Sequence, residues 1–221
     1  FIGGEEAVTH DLAPLLIAVK QSGGTLEESM FLTSQLFDEA RHVEFFDAVS
    51  RHVIGAPPTT EAWAGPSYRQ LFSELDAALG RLMHDHSHEA QAIAVSSYHM
   101  IIEGVLAETG YYGIFKALKA RGLLPGLQQG LGHLQRDEAR HIAFGLHLLE
   151  RLIKHDKAMY QRINERMDEL LPSAMGVFIE LLDPYLPDIP FDLDLEDILD
   201  FAGRQFSARI NVLQRAVGGV A

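Results

Sequence analysis

Asp38-Glu39-Ala40-Arg41-His42 and Asp137-Glu138-Ala139-Arg140-His141 are one pentapeptide written twice, each inside a long segment whose apolar residues recur at helical spacing. In a helix, positions i and i+3 lie roughly 60° apart on the cylinder. Each copy therefore presents a carboxylate oxygen and an imidazole nitrogen on one face. Helical bundles that hold two metal ions use two such Glu-x-x-His helices and one further Glu from each of two other helices. The fold follows from whether the chain supplies those two glutamates.

Two stretches supply them. Gly3-Gly4-Glu5-Glu6-Ala7-Val8-Thr9 precedes the first pentapeptide, and Ile101-Ile102-Glu103-Gly104-Val105-Leu106 lies between the two. Glu5 shares a helical face with Ile2, Thr9, Leu12 and Leu16, whereas Glu6 aligns less well with that stripe, so Glu5 is the preferred ligand. Glu103 sits among Tyr98, Met100, Ile102, Leu106 and Ala107. An uncompensated charge there costs several kcal/mol, which a metal or a donor must offset. Glu108 is its weaker rival.

The 221 residues, 47% of them apolar, suffice for one sizeable core, and a single all-α domain over 1–221 is expected. A net charge of −13 argues against a nucleic-acid or anionic-membrane binder. The absence of cysteine removes disulfides, zinc-thiolate sites and thiol catalysis, and is compatible with the cytoplasm. No apolar run reaches membrane-spanning length. Because Glu5 falls so close to the first residue, Phe1, an additional upstream segment is expected in the native protein.

A first helix is expected to run to about Lys20, with Pro14 a kink or restart, and to stop at Ser22-Gly23-Gly24. Thr25-Leu26-Glu27-Glu28 reads as a capping box that opens a second helix, which carries the first pentapeptide and ends near Gly55-Ala56-Pro57-Pro58. A shorter amphipathic helix, Ser67 to Leu82, leads to a long helix from about His88 to Arg121, read as the crossover. Gly122 to Gly126 turns the chain into the helix of the second pentapeptide, which continues to about Lys154. Two antiparallel pairs joined by one long crossover make a ferritin-like four-helix bundle. Residues 157–221 add flanking helices on either side of a proline-rich acidic linker at 183–190.

Other residues read more plainly. Asp38/Arg41 and Asp137/Arg140 are i, i+3 ion pairs, with Asp137 also able to accept from an imidazole on the facing helix. His84, His86 and His88 lie at a loop and helix start and read as solvent-exposed. His99, four residues before Glu103, reads as a core histidine or a supporting group and not as a seventh ligand. Tyr111 and Tyr112 read as core packing with satisfied hydroxyls.

Hard oxygens with only two imidazoles suit iron and manganese better than zinc or copper, and such pairs activate dioxygen. Phe1 to Thr9, Phe37 to His42, Tyr98 through Gly110-Tyr111-Tyr112, and Asp137 to His141 resemble the ribonucleotide reductase small-subunit-like ligand-binding oxidases, nearly the whole chain in order. The resemblance implies Glu5, Glu39 and His42 as manganese ligands, with Glu103, Glu138 and His141 around iron and Glu39 bridging. It also implies an ether cross-link between Val8 and Tyr98, a long-chain fatty acid whose carboxylate meets the metals, and a homodimer. It supplies no physiological substrate.

The nearest rival is a ribonucleotide reductase small subunit. Four residues after His42 stands Phe46, where tyrosyl-radical subunits carry their tyrosine. That counts against a tyrosyl-radical form and leaves a manganese/iron form open. An iron-storage ferritin is disfavoured by the helices beyond Asp156, which exceed a minimal bundle.

Overall fold

The computed structural model describes residues 12–56 and 64–218, and among these every regular element is helical. Helix α1 (Ala13–Gln21) starts with Pro14 in its first turn, where a missing N–H costs nothing, so this proline opens a helix. It ends at Gly23, whose φ of 87° suits a residue without Cβ. Helix α2 (Leu26–Val49) begins with the expected capping box: Glu28 N donates to Thr25 Oγ1 at 3.2 Å and Thr25 N to Glu28 Oε2 at 2.8 Å. It continues as a π turn over Ser50–Ile54 and stops at Gly55.

Helix α3 (Pro66–Arg81) precedes a continuous helical run of three parts: α4 (His88–Val95), a π-helical segment (Ser96–Ala107) and α5 (Glu108–Lys119). Helix α6 (Pro125–His155) carries the second pentapeptide, followed by α7 (Ala158–Leu182) and α8 (Leu195–Gly218). The run from His88 to Lys119 is not the crossover that the spacing suggested. It is itself a bundle member, packed on α6, and α3 is the helix that stands between α2 and this run in chain order.

One apolar cluster joins all of these helices except α5. Leu15 and Val19 of α1, Leu75 and Leu79 of α3, Ile101 and Val105 of the π segment, Leu148 and Leu149 of α6, Met167 of α7 and Leu213 of α8 are all essentially inaccessible. Helices α7 and α8 are therefore part of the core. They pack on the π segment, where Arg166 of α7 donates to Ser97 Oγ at 2.9 Å.

The π segment positions the site. In an α-helix, residues five apart diverge by roughly 140°. The i→i+5 pattern brings such residues back to nearly one face. Tyr98 and Glu103 are five apart, and both turn toward α2 and α6.

Candidate metal centre

Glu39 of α2, Glu103 of the π segment, and Glu138 and His141 of α6 converge so that one ligand atom from each lies within 4.8 Å of all the others. None is more than 3% exposed. His141 Nδ1 is 3.1 Å from Glu39 Oε1, 3.4 Å from Glu103 Oε1 and 3.6 Å from Glu138 Oε2. His42 Nδ1 faces the same carboxylates, 3.5 Å from Glu39 Oε2 and 3.4 Å from Glu138 Oε1. The two pentapeptides thus bring both glutamates and His141 into one cluster, with His42 beside Glu39 and Glu138. Glu103 joins them, while its rival Glu108 interacts with Gln135. Glu5 and Val8 fall outside the described residues.

Each imidazole is backed by the aspartate of the opposite copy. His42 Nε2 lies 3.5 Å from Asp137 Oδ2, and His141 Nε2 lies 3.4 Å from Asp38 Oδ2. A carboxylate at Nε2 fixes the ring's tautomer and turns Nδ1 inward as a donor atom for a metal. Arg140 bridges both aspartates, 2.6 Å from Asp137 and 3.0 Å from Asp38. Arg41 does not pair with Asp38 as expected. Its guanidinium sits over the Phe37 ring, because Arg140 from the facing helix takes Asp38.

The electrostatics are those of a crowded anionic cavity. Burial raises the Glu103 carboxyl to about 7, against the opposing pull of His141. Burial also acts against the Glu39 carboxylate, but hydrogen bonding and charge from His141 and His42 outweigh it and hold this group well below the usual range. For His141, burial disfavours the imidazolium, yet Glu103, Glu138 and Glu39 drive it well above an ordinary histidine. Three buried carboxylates in mutual contact are costly unless cations compensate them. Glu103 Oε2 has no hydrogen-bond partner among the described residues. An oxygen-rich set with two imidazoles and no thiolate fits manganese or iron.

Around this centre, Tyr98 donates to Glu39 Oε1 at 2.7 Å and Tyr111 to Glu138 Oε1 at 3.4 Å. Tyr111 is thus more than core packing, whereas Tyr112 bonds Asp197 away from the site. Gln35, fully buried, donates to Glu103 Oε1 at 3.0 Å. Sequence reasoning missed Gln35; the available signal was its position four residues before Glu39, one turn away on the same face.

The family model of the ribonucleotide reductase small chain matches residues 4–203. A solved R2-like ligand-binding oxidase with an aerobically reconstituted Mn/Fe cofactor is 35% identical, with a TM-score of 0.90, over 96% of this chain and 76% of that one. The chain belongs to the R2-like ligand-binding oxidases of the ribonucleotide reductase small-chain family. A second structure of such an oxidase, after photoconversion, matches with the same identity, TM-score and coverage. A point mutant with anaerobically reconstituted Mn/Fe is 36% identical, with a TM-score of 0.89. Among this oxidase's described residues, no helix is long and apolar enough to cross a membrane.

Proposed function

We propose that this chain is a dinuclear manganese/iron oxidase in which Glu5, Glu39, His42, Glu103, Glu138 and His141 would hold the metals. When bound, the metals supply dioxygen activation. The chain's own part is to exclude water from the centre, to present ionised carboxylates, and to hold the Tyr98 phenol against them. We further propose that Val8 and Tyr98 become joined. The Val8 Cβ–H and Tyr98 O–H bonds break, a Cβ–O bond forms, and two protons and two electrons pass to dioxygen. A long-chain fatty acid binds with its carboxylate at the metals and its chain among apolar helix faces. The exposed side chains Leu26, Met30 and Phe37 along one face of α2 support a homodimer, and the lack of cysteine is in keeping with the cytoplasm.

The observation that carries this reading is the Tyr98 hydroxyl on Glu39 Oε1, directly beside the converged Glu103, Glu138 and His141. Intact mass of protein loaded with both metals, with and without dioxygen, tests it. The aerobic sample should be lighter by two hydrogens and should yield one linked peptide pair containing Val8 and Tyr98. Organic extraction of the purified protein should return long-chain fatty acids in near-stoichiometric amount. Two unlinked peptides and no lipid would favour a reductase small subunit, the second reading, which rests on the family model. Phe46, packed near Tyr111 and Leu131, counts against its tyrosyl-radical form.

A further inference from the structure

His99 and Gln35 form a buried chain that ends on Glu103. His99 Nε2 lies 3.3 Å from Gln35 Oε1, and Gln35 Nε2 donates to Glu103 Oε1 at 3.0 Å. Both side chains are fully inaccessible. A metal-binding carboxylate is acceptor-only, so Gln35 must present its NH₂ to Glu103 and turn its carbonyl toward His99. His99 must then carry its proton on Nε2. This agrees with its Nδ1, which has no hydrogen-bond partner among the described residues, and with burial, which lowers the ring to about 3 and keeps it neutral.

His99 is itself held in place. Its ring meets Tyr98 edge to face at 4.7 Å, and a Cβ at Gly145 of α6 would come within 2.3 Å of His99 Cβ. The absence of a side chain at 145 lets the π segment approach α6 closely enough to seat the ring. The polarity of the chain then runs one way, from a ring fixed by packing, through an amide, to one oxygen of Glu103. Oε1 is occupied and Oε2 is left without a hydrogen-bond partner.

We infer that His99 and Gln35 are positioning residues for Glu103, setting which carboxylate oxygen is offered to a metal. This rests on the metal-centre reading above. Buried partners that orient metal ligands typically contribute about 10–100-fold in metal affinity.

Anaerobic titration of the full chain with Mn(II) alone and Fe(II) alone, under chelator competition, tests it, with metal-free melting followed in parallel. Gln35→Met, similar in volume but without a donor, should weaken one metal equivalent by about 10–100-fold. His99→Leu should weaken the same equivalent, and His99→Gln, which keeps a donor, should recover most of the loss. In the double variant Gln35→Met/His99→Leu the loss should not exceed that of Gln35→Met, because His99 acts through Gln35. Unchanged affinity in Gln35→Met, additive losses in the double variant, or His99→Gln no better than His99→Leu would each overturn the inference. A wild-type chain that binds no metal pair would instead overturn the reading on which it rests.

Discussion

Tyr98 donates a 2.7 Å hydrogen bond to Glu39 Oε1, and each of the two side chains is only 1% exposed. Burial, and then the charges of Glu103, Glu39 and Glu138, push the phenol well above its ordinary range. The phenol therefore stays protonated throughout the neutral range, and any oxidation of Tyr98 must remove a proton along with the electron.

Replacing Tyr98 by Phe separates the metal chemistry from the proposed cross-link. The ring packing stays and one hydrogen bond to a charged carboxylate is lost, at a cost of about 1.5–3 kcal/mol of metal-free stability. Two-metal uptake should persist, while the dioxygen-dependent loss of two hydrogens should disappear from the intact mass. A Tyr98→Phe protein still lighter by two hydrogens after aerobic loading would rule this tyrosine out as the acceptor.

The ligand assignment is tested by Glu138→Ala and His42→Ala. Each removes a donor that faces two others among the described residues: His42 lies beside Glu39 and Glu138, and Glu138 beside His42 and His141. Elemental analysis after desalting should find neither variant holding two metals per chain. Retention of both with unchanged affinity would show that the pentapeptides do not bind as proposed.

Metal uptake should release protons. In the metal-free chain Glu103 is raised to about 7 and His141 lies well above an ordinary histidine, so both are protonated to a large extent near neutrality. A bound metal requires the carboxylate ionised and the imidazole neutral. Apparent affinity should therefore fall as pH drops through 7 and keep rising above it. Calorimetry in two buffers of different ionisation enthalpy reads the release directly; equal heats in both would contradict it.

Two glycines on α6 should respond differently to alanine. At Gly145 the new methyl meets His99 Cβ, which is tied to the backbone of the buried π segment, so Gly145→Ala should cost about 1–3 kcal/mol. For a chain of this size each kcal/mol is worth about 2–4 °C of melting temperature. At Gly130 the methyl meets the far edge of the Phe45 ring, which can swing away. Gly130→Ala should therefore be milder, and a thermal scan showing the reverse order would mean that the π segment yields more easily than its burial suggests.

Much of the centre could be read from the sequence because its signals are local. Glu39/His42 and Glu138/His141 need only helical spacing, and Glu103 stands out as a carboxylate in an apolar run. The parts that escaped depend on tertiary structure. A π segment differs from an α-helix by a shift in hydrogen-bond partners, which the residues Ser96 to Ala107 do not spell out. The long helix around it looked like a connector because most of its packing, on α6, α7 and α8, is with helices that come later in the chain. Gln35 looked like any polar helical residue until Glu103 was placed beside it. Arg41 and Arg140 occupy identical local sequences, so only the facing helix could decide which of them reaches Asp38.

The exchange of aspartates between the two pentapeptides bears on how the centre assembles. His42 is steered from α6 and His141 from α2, so neither helix carries a finished half-site. An isolated fragment ending at Gly55 would hold Glu39 and His42 yet lack the group that aims the ring. Firm capture of the proposed metals should then require α2 to be docked on α6, and undoing that docking should weaken both metal positions together.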